Sequence, residues 1–198
     1  MKRRLALILA GLMTVAAAKA AAVPFTLNFA GLANNEEVLS YYNGGLGSLG
    51  SGPGPNYGIT FTPAFEAIAG VGPYGTPPFV VGSVDASTAT MNVAGGFSGP
   101  FSFYYEASNS AGTVTVWSGL NGTGTMLADL PLTAALGWNP QGQVLAGSAM
   151  SVVFSGTGEM EFDEINDVGL VVPEPWSLWL AGTGVAGAAA GLRRRLHS

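Results

Sequence analysis

The residue types that carry most protein chemistry are nearly absent from this 198-residue chain. It holds one histidine, His197, and no cysteine. Because His197 lies beyond the C-terminal arginines, the domain before them has no Ser-His-Asp or Cys-His unit and no imidazole or thiolate metal centre, and without cysteine no disulfide can form. All seven basic residues are terminal: Lys2, Arg3, Arg4 and Lys19 at one end, Arg193, Arg194 and Arg195 at the other. Between Val23 and Val172 there is no Lys or Arg, which removes lysine Schiff-base chemistry, arginine clamps and the cations that nucleic-acid binding requires.

What remains is carboxylate chemistry. The same stretch carries eleven acids, among them Glu36, Glu37, Glu66, Asp85 and the dense run Glu159-Met160-Glu161-Phe162-Asp163-Glu164-Ile165-Asn166-Asp167. Glu159 and Glu161, alternate residues on a strand, would stand about 7 Å apart. Glycoside hydrolysis uses paired carboxyls about 5 to 9 Å apart, although any alternating acidic strand offers that spacing. The hard oxygens of the same run also suit Ca2+ at a weak extracellular site, with a solvated acidic face as the plainer alternative. EF-hand spacing is absent. Aromatic residues supply a third kind of chemistry, since flat rings suit sugar faces. Tyr41, Tyr42, Tyr57, Tyr74, Tyr104, Trp117 and Trp138 are read as the exposed aromatics, with Trp138, in an expected loop at Trp138-Asn139-Pro140, the candidate glycan contact. Core packing accounts for most aromatics in such a domain.

The elements that must position these groups are short strands. Residues 23 to 172 hold 25 Gly and ten Pro, which leaves little room for long helices. Phe25–Phe29, Gly58–Thr62, Phe101–Glu106 and Thr113–Trp117 alternate with period two, as half-buried strands do. Further strands are expected at Phe79–Val84, Ala89–Val93, Thr125–Leu130, Gln143–Ala146, Ala149–Phe154 and Glu159–Ile165. Asn121-Gly122 between two of them is a hairpin signal. Asn34–Gly44, with an Asn cap and a terminating Gly, predicts a short helix. The Gly- and Pro-rich stretch Gly44–Tyr57 that follows is expected to be a loop. The pattern predicts an all-β fold, an antiparallel β-sandwich of jelly-roll type.

The two ends differ in kind from the middle. Residues 1–22 combine a basic start, an apolar run from Leu5 to Ala18 and small residues at Ala18-Lys19-Ala20 and Ala20-Ala21-Ala22, the pattern of a secretory signal peptide. Trp176–Leu192 is uncharged over 17 residues and would reach about 25 Å as a transmembrane helix. Arg193, Arg194 and Arg195 follow it directly and read as a cytoplasmic stop. The expected organisation is thus a signal peptide over 1–22, a β-sandwich over 23–171 and a C-terminal signal over 172–198.

Val172-Pro173-Glu174-Pro175, the apolar stretch and the arginine cluster, in that order, resemble the bacterial PEP-CTERM sorting signal. The resemblance implies that Pro173, Glu174 and Pro175 are recognised by an exosortase. It implies an inner-membrane tethered precursor that is processed and sent to the cell surface or extracellular matrix. Two prolines keep the tripeptide extended and ready for a protease-like groove. The middle also resembles exported PEP-CTERM proteins with a lectin-like sandwich, through Tyr41-Tyr42-Asn43-Gly44-Gly45, Gly54–Phe61, Met91-Asn92-Val93, Phe101–Tyr105, Gly119–Gly124 and Phe162-Asp163-Glu164-Ile165. That second resemblance implies no catalytic residues and would place a Ca2+ ligand at Asp163, with Glu36 or Glu37 as partner. The reading is an exported, non-enzymatic surface or matrix protein that binds polysaccharide, with a carboxylate-dependent glycoside hydrolase as the alternative. Its expected partners are exosortase, the inner membrane before processing and extracellular polysaccharide. No cofactor is required beyond the optional Ca2+. With a net charge of −11, the middle should prefer neutral glycans or divalent cations to anionic polymers.

Overall fold

The computed structural model describes residues 23–73 and 80–169. The expected signal peptide, the Pro173-Glu174-Pro175 motif, the apolar stretch, Arg193 to Arg195 and Tyr74 lie outside those residues. Among the described residues no helix is long and apolar enough to cross a membrane.

Ten antiparallel strands account for most of the domain. They are β1 (Thr26–Leu27), β2 (Glu36–Glu37), β3 (Ile59–Phe61), β4 (Glu66–Ala69), β5 (Val80–Val84), β6 (Thr88–Ala107), β7 (Gly112–Trp117), β8 (Met126–Leu132), β9 (Ala135–Gly156) and β10 (Met160–Asn166). Their hydrogen bonds form one continuous sheet in the order β2-β4-β5-β10-β6-β9-β7-β8, with β1 beside β10 and β3 beside β6.

Two long strands, β6 and β9, fold that sheet into two layers. They pair along nearly their whole length, but the register slips between Asn92 and Phe97 and again between Phe97 and Gly99. Gly96 and Gly99, both in the left-handed region, take up the bend there. The first half of β6 lies between β3 and the second half of β9, which continues into β7 and β8. The second half of β6 lies between β10 and the first half of β9, and β10 continues into β5, β4 and β2. The antiparallel β-sandwich expected from the alternation is thus present as a single sheet doubled over.

Aromatic rings fill the space between the layers. Phe154 of β9 meets Phe162 of β10 edge-on at 4.9 Å and Phe65 at 5.1 Å. Phe65 also contacts Phe61 at 4.6 Å and stacks on Phe29 at 5.7 Å. The rings come close enough because Gly82 lies beneath them: a Cβ there would stand 2.5 Å from Phe65 and 2.7 Å from Phe29. The β7–β8 hairpin turns at Asn121 (φ 56°) and Gly122 (φ 67°), two successive left-handed residues as an Asn-Gly turn requires. The turn is closed by Gly119 N–H donating to the Thr123 carbonyl at 2.9 Å.

Asn34–Gly44 is not a helix. It forms β2 and a series of turns, with Asn35 and Leu39 at positive φ, which no right-handed helix accommodates. The physical reason is the use made of Glu36. One carboxylate oxygen reaches back to Ala33 N–H at 2.7 Å, as a capping glutamate would. The other turns away to accept from Leu49 and Ser51 in the glycine-rich loop, at 2.9 and 3.0 Å. Long-range bonds to the loop therefore take the place of a local helix. The Gly44–Tyr57 stretch is the expected loop, bridged at its ends by Asn43 and Asn56.

Candidate functional site

Cross-strand register decides which acids share a face. On the inner face, Glu36 pairs with Ala67, Ala67 with Gly82, Gly82 with Phe162 and Phe162 with Tyr105. One residue along, Glu37 pairs with Glu66, Glu66 with Ser83, Ser83 with Glu161 and Glu161 with Glu106. Successive residues of a strand face opposite ways, so the second row lies on the outer surface of the layer. It sets four glutamates and one serine in line across five strands, about 19 Å end to end at the usual strand spacing.

The three acids expected to share a Ca2+ are not brought together. Glu36 is fully buried and already accepts three backbone N–H groups and the Ser51 hydroxyl. Burial pushes its pKa up, but those donors outweigh burial and hold it below the usual carboxylate range. Asp163 is on β10 opposite Tyr104, on the outer face, so the sheet itself stands between it and Glu36. Glu37 lies at the far end of the outer row. Among the described residues no group of three His, Cys, Asp or Glu side chains converges on a metal position.

The acidic run on β10 is nonetheless an unusual surface. Burial raises the Asp163 pKa to about 7, with the nearby Glu164 charge adding to it, against a bond from Glu164 N–H at 2.9 Å that lowers it. Gly72 packs against the Asp163 carboxylate, so the Gly70–Pro73 segment lies over this part of the face. Glu161 is also raised, first by burial and then by Glu106 and Glu159, and burial raises Glu164. The hydrolase reading paired Glu161 with Glu159, which is exposed just before β10 begins. The direct cross-strand neighbour of Glu161 is Glu106 instead. Glu106 in turn accepts Gly137 N–H at 3.1 Å.

Trp138 is in β9, not in a loop. Its strand is an edge of the layer, where Pro140 removes no ladder bond that a further strand would need. Pro140 pairs with Tyr104, so Trp138, two residues away, faces the same side as Tyr104 and the acidic row. The half-buried indole donates its N–H to the Val71 carbonyl at 2.6 Å, which pins the Gly70–Pro73 segment across the face. Tyr41 and Tyr42, read as exposed, are 7% and 2% exposed and belong to the core. Tyr57 stacks on Tyr42 against that core, and the Trp117 indole bonds Thr115 on its own strand.

A cavity of about 310 Å³ opens at the centre of the outer row, lined by Ala64, Glu66, Ser83, Asp85 and Ser87. The sequence offered no sign of it. The β4 segment Glu66-Ala67-Ile68-Ala69 has no β-branched run or clear alternation, and without that strand nothing sets Glu66 beside Ser83.

No protein-family model and no curated protein matches the chain. Among solved structures, a family 6 carbohydrate-binding module is similar at 15% identity over 55% of this chain and 86% of that one, with a TM-score of 0.40. CBM29_1, a family 29 carbohydrate-binding module from Piromyces equi, is similar at 8% identity over 62% and 88%, with a TM-score of 0.40. The catalytic domain of a GH87 α-1,3-glucanase is similar at 11% identity over 60% of this chain and 29% of that one, with a TM-score of 0.33. These likenesses are distant, and the site is read from the chain's own residues.

The Asp163 carboxyl holds its proton more tightly when folded than when unfolded. Between its ordinary value near 4 and about 7, the folded state therefore binds more protons, and stability falls as pH rises, by about 1.4 kcal/mol per unit. Asp163→Asn removes that share of the slope. Thermal melts from pH 4 to 8 should show a flatter decline in the variant, and identical slopes would contradict the burial of this carboxyl.

Proposed function

We propose that the chain is an exported, non-enzymatic surface or matrix protein whose lectin-like sandwich binds polysaccharide and whose delivery depends on a PEP-CTERM signal. The observation that carries the binding reading is the placement of Trp138, Tyr104, Glu106 and Glu161 on one sheet face. Aromatic rings give a sugar an apolar platform, and carboxylates accept its hydroxyls through charge-assisted hydrogen bonds. Export and sorting are supported by the sequence, through the signal-peptide pattern of residues 1–22 and the order of Pro173-Glu174-Pro175, apolar stretch and arginine cluster.

One feature favours the hydrolase alternative: Glu161, with its raised pKa, stands beside Glu106, whose oxygen is held by a backbone N–H. Direct cross-strand partners, however, have Cβ atoms only about 5 Å apart and point the same way from a sheet. Both carboxyls then lie on one side of any bound chain, whereas glycoside hydrolysis needs them on either side of the scissile bond. That placement does not suit cleavage.

A glycan array probed with the full chain in detergent, with and without EDTA, should show retained binding and no product release. Trp138→Ala should weaken that binding about tenfold, equivalent to about 1.4 kcal/mol. Cleavage of any polysaccharide would overturn the reading. For sorting, replacing Pro173-Glu174-Pro175 with alanines should leave unprocessed precursor in the membrane fraction. Unchanged processing and location would sink that part of the proposal.

A further inference from the structure

The face that carries Trp138 is crossed by the chain itself. The β4–β5 ladder ends at Ala69 and Val80, and beyond Ala69 the segment Gly70-Val71-Gly72-Pro73 passes over the outer face toward β9. Val81 stands two residues before Ser83 and so faces outward with it, yet it is fully buried and lies outside the core cluster. Gly70 lies directly on it: a Cβ there would stand 2.7 Å from a Val81 methyl. Gly72 lies as closely on the Asp163 carboxylate of β10. Neither glycine is at positive φ, so it is close approach that a side chain would break at these positions.

Val71 completes the crossing. Its carbonyl accepts the Trp138 indole N–H at 2.6 Å, in an exposed bond rather than a core one. An indole has one donor and no acceptor, so while that bond stands Trp138 has no hydrogen bond to offer a sugar hydroxyl. The Val71 side chain is 57% exposed, which leaves the attachment to its backbone.

The seat of the segment is an acid. Asp163 is 7% exposed, and the domain has no Lys or Arg to neutralise it. Among the described residues the titratable groups around it are Glu161 and Glu164 on its own strand, Glu106 and Tyr104 on β6, and Tyr42 on the core side. None is a cation, and β5, β9 and residues 70–73 bring no charge at all. The ionised carboxyl is therefore better solvated by water than beneath Gly72.

We propose that residues 70–73 are an autoinhibitory strap over the polysaccharide-binding face, occupying the Trp138 N–H in the ligand's place and lifting from Asp163 when that carboxyl ionises. The proposal rests on the polysaccharide-binding reading and adds control by pH to the same site. Burial raises the Asp163 pKa to about 7 with the strap in place, and admitting water returns it toward its ordinary value near 4. Opening thus releases a proton. It becomes up to about tenfold easier per pH unit between those values and levels off above about 7.

The strap can be read on the free protein, from nitrogen–proton NMR spectra of the full chain in detergent between pH 5 and pH 8. The Trp138 indole resonance is the one missing from Trp138→Phe. In wild type its proton should move from the hydrogen-bonded toward the solvated position as pH rises, and settle above about 7. Asp163→Asn, neutral at every pH, should stay at the bonded position. Gly72→Ala, whose methyl cannot fit against Asp163, should show the solvated position throughout. A wild-type resonance indifferent to pH, or one that moves equally in Asp163→Asn, would overturn the strap, and that comparison stands even if Gly72→Ala fails to fold. On the glycan array, the polysaccharide that wild type binds best at pH 8 should be held about tenfold more weakly at pH 5, as when about one molecule in ten is open. Gly72→Ala should remove that difference, and a difference it leaves intact would also overturn the strap. Failure of the binding reading looks different: no polysaccharide binds at either pH, whatever the indole resonance does.

Discussion

From Val23 to Val172 the chain has no cation with which to neutralise any of its eleven carboxylates. Each acid must then be stabilised by backbone N–H groups, by side-chain hydroxyls, by a proton, by water or by something that binds. Glu36 takes the first route. Its carboxylate is fully buried, and its acceptance of N–H groups from Ala33, Leu49 and Ser51 ties the glycine-rich loop to the edge of the sheet. Asp163 takes the second, with a pKa of about 7 that leaves it partly protonated at neutral pH. In the outer row Glu106 accepts one backbone N–H, from Gly137, and burial raises the pKa of Glu161.

The rest of the fold compensates by apolar burial. A doubled sheet encloses a chain of aromatic contacts running from Phe29 through Phe65 to Phe154 and Phe162, and no disulfide or ion pair is required. A domain of about 150 residues buries enough surface for this to suffice. Because the core lies on one side of the β4-β5-β10-β6 layer, its other side is free to carry charge, and the register puts the acids there in line. Like charges directly opposite one another destabilise a sheet, so the row is maintained at a cost to stability.

Much of the fold was legible in the sequence. The period-two runs around Ile59–Phe61, Phe101–Tyr105 and Thr113–Trp117 became strands, and Asn121-Gly122 became the hairpin turn, because both signals are local. Asn34–Gly44 misled because its local capping pattern competes with bonds from residues 49 and 51, which no short window contains. Trp138 stands in a strand and not in the expected loop, because an edge strand tolerates Pro140 two residues on. The candidate site was less legible still. Whether Glu36 or Glu37 faces the core, and whether Glu161 stands beside Glu159 or Glu106, depends on register between strands far apart in the chain. A one-residue slip would exchange the buried and exposed sets.

The claim that the outer row is uncompensated charge can be measured on the free protein. Thermal unfolding of wild type and Glu161→Gln should be followed from about 10 mM to 1 M NaCl, over which the screening length falls from about 30 to 3 Å. The expected result is a wild-type Tm that rises with salt, and a Glu161→Gln variant that melts above wild type at the lowest salt and converges with it at the highest. A wild-type Tm indifferent to salt, or a variant less stable than wild type at low salt, would show that Glu161 has a stabilising partner and would contradict the uncompensated row.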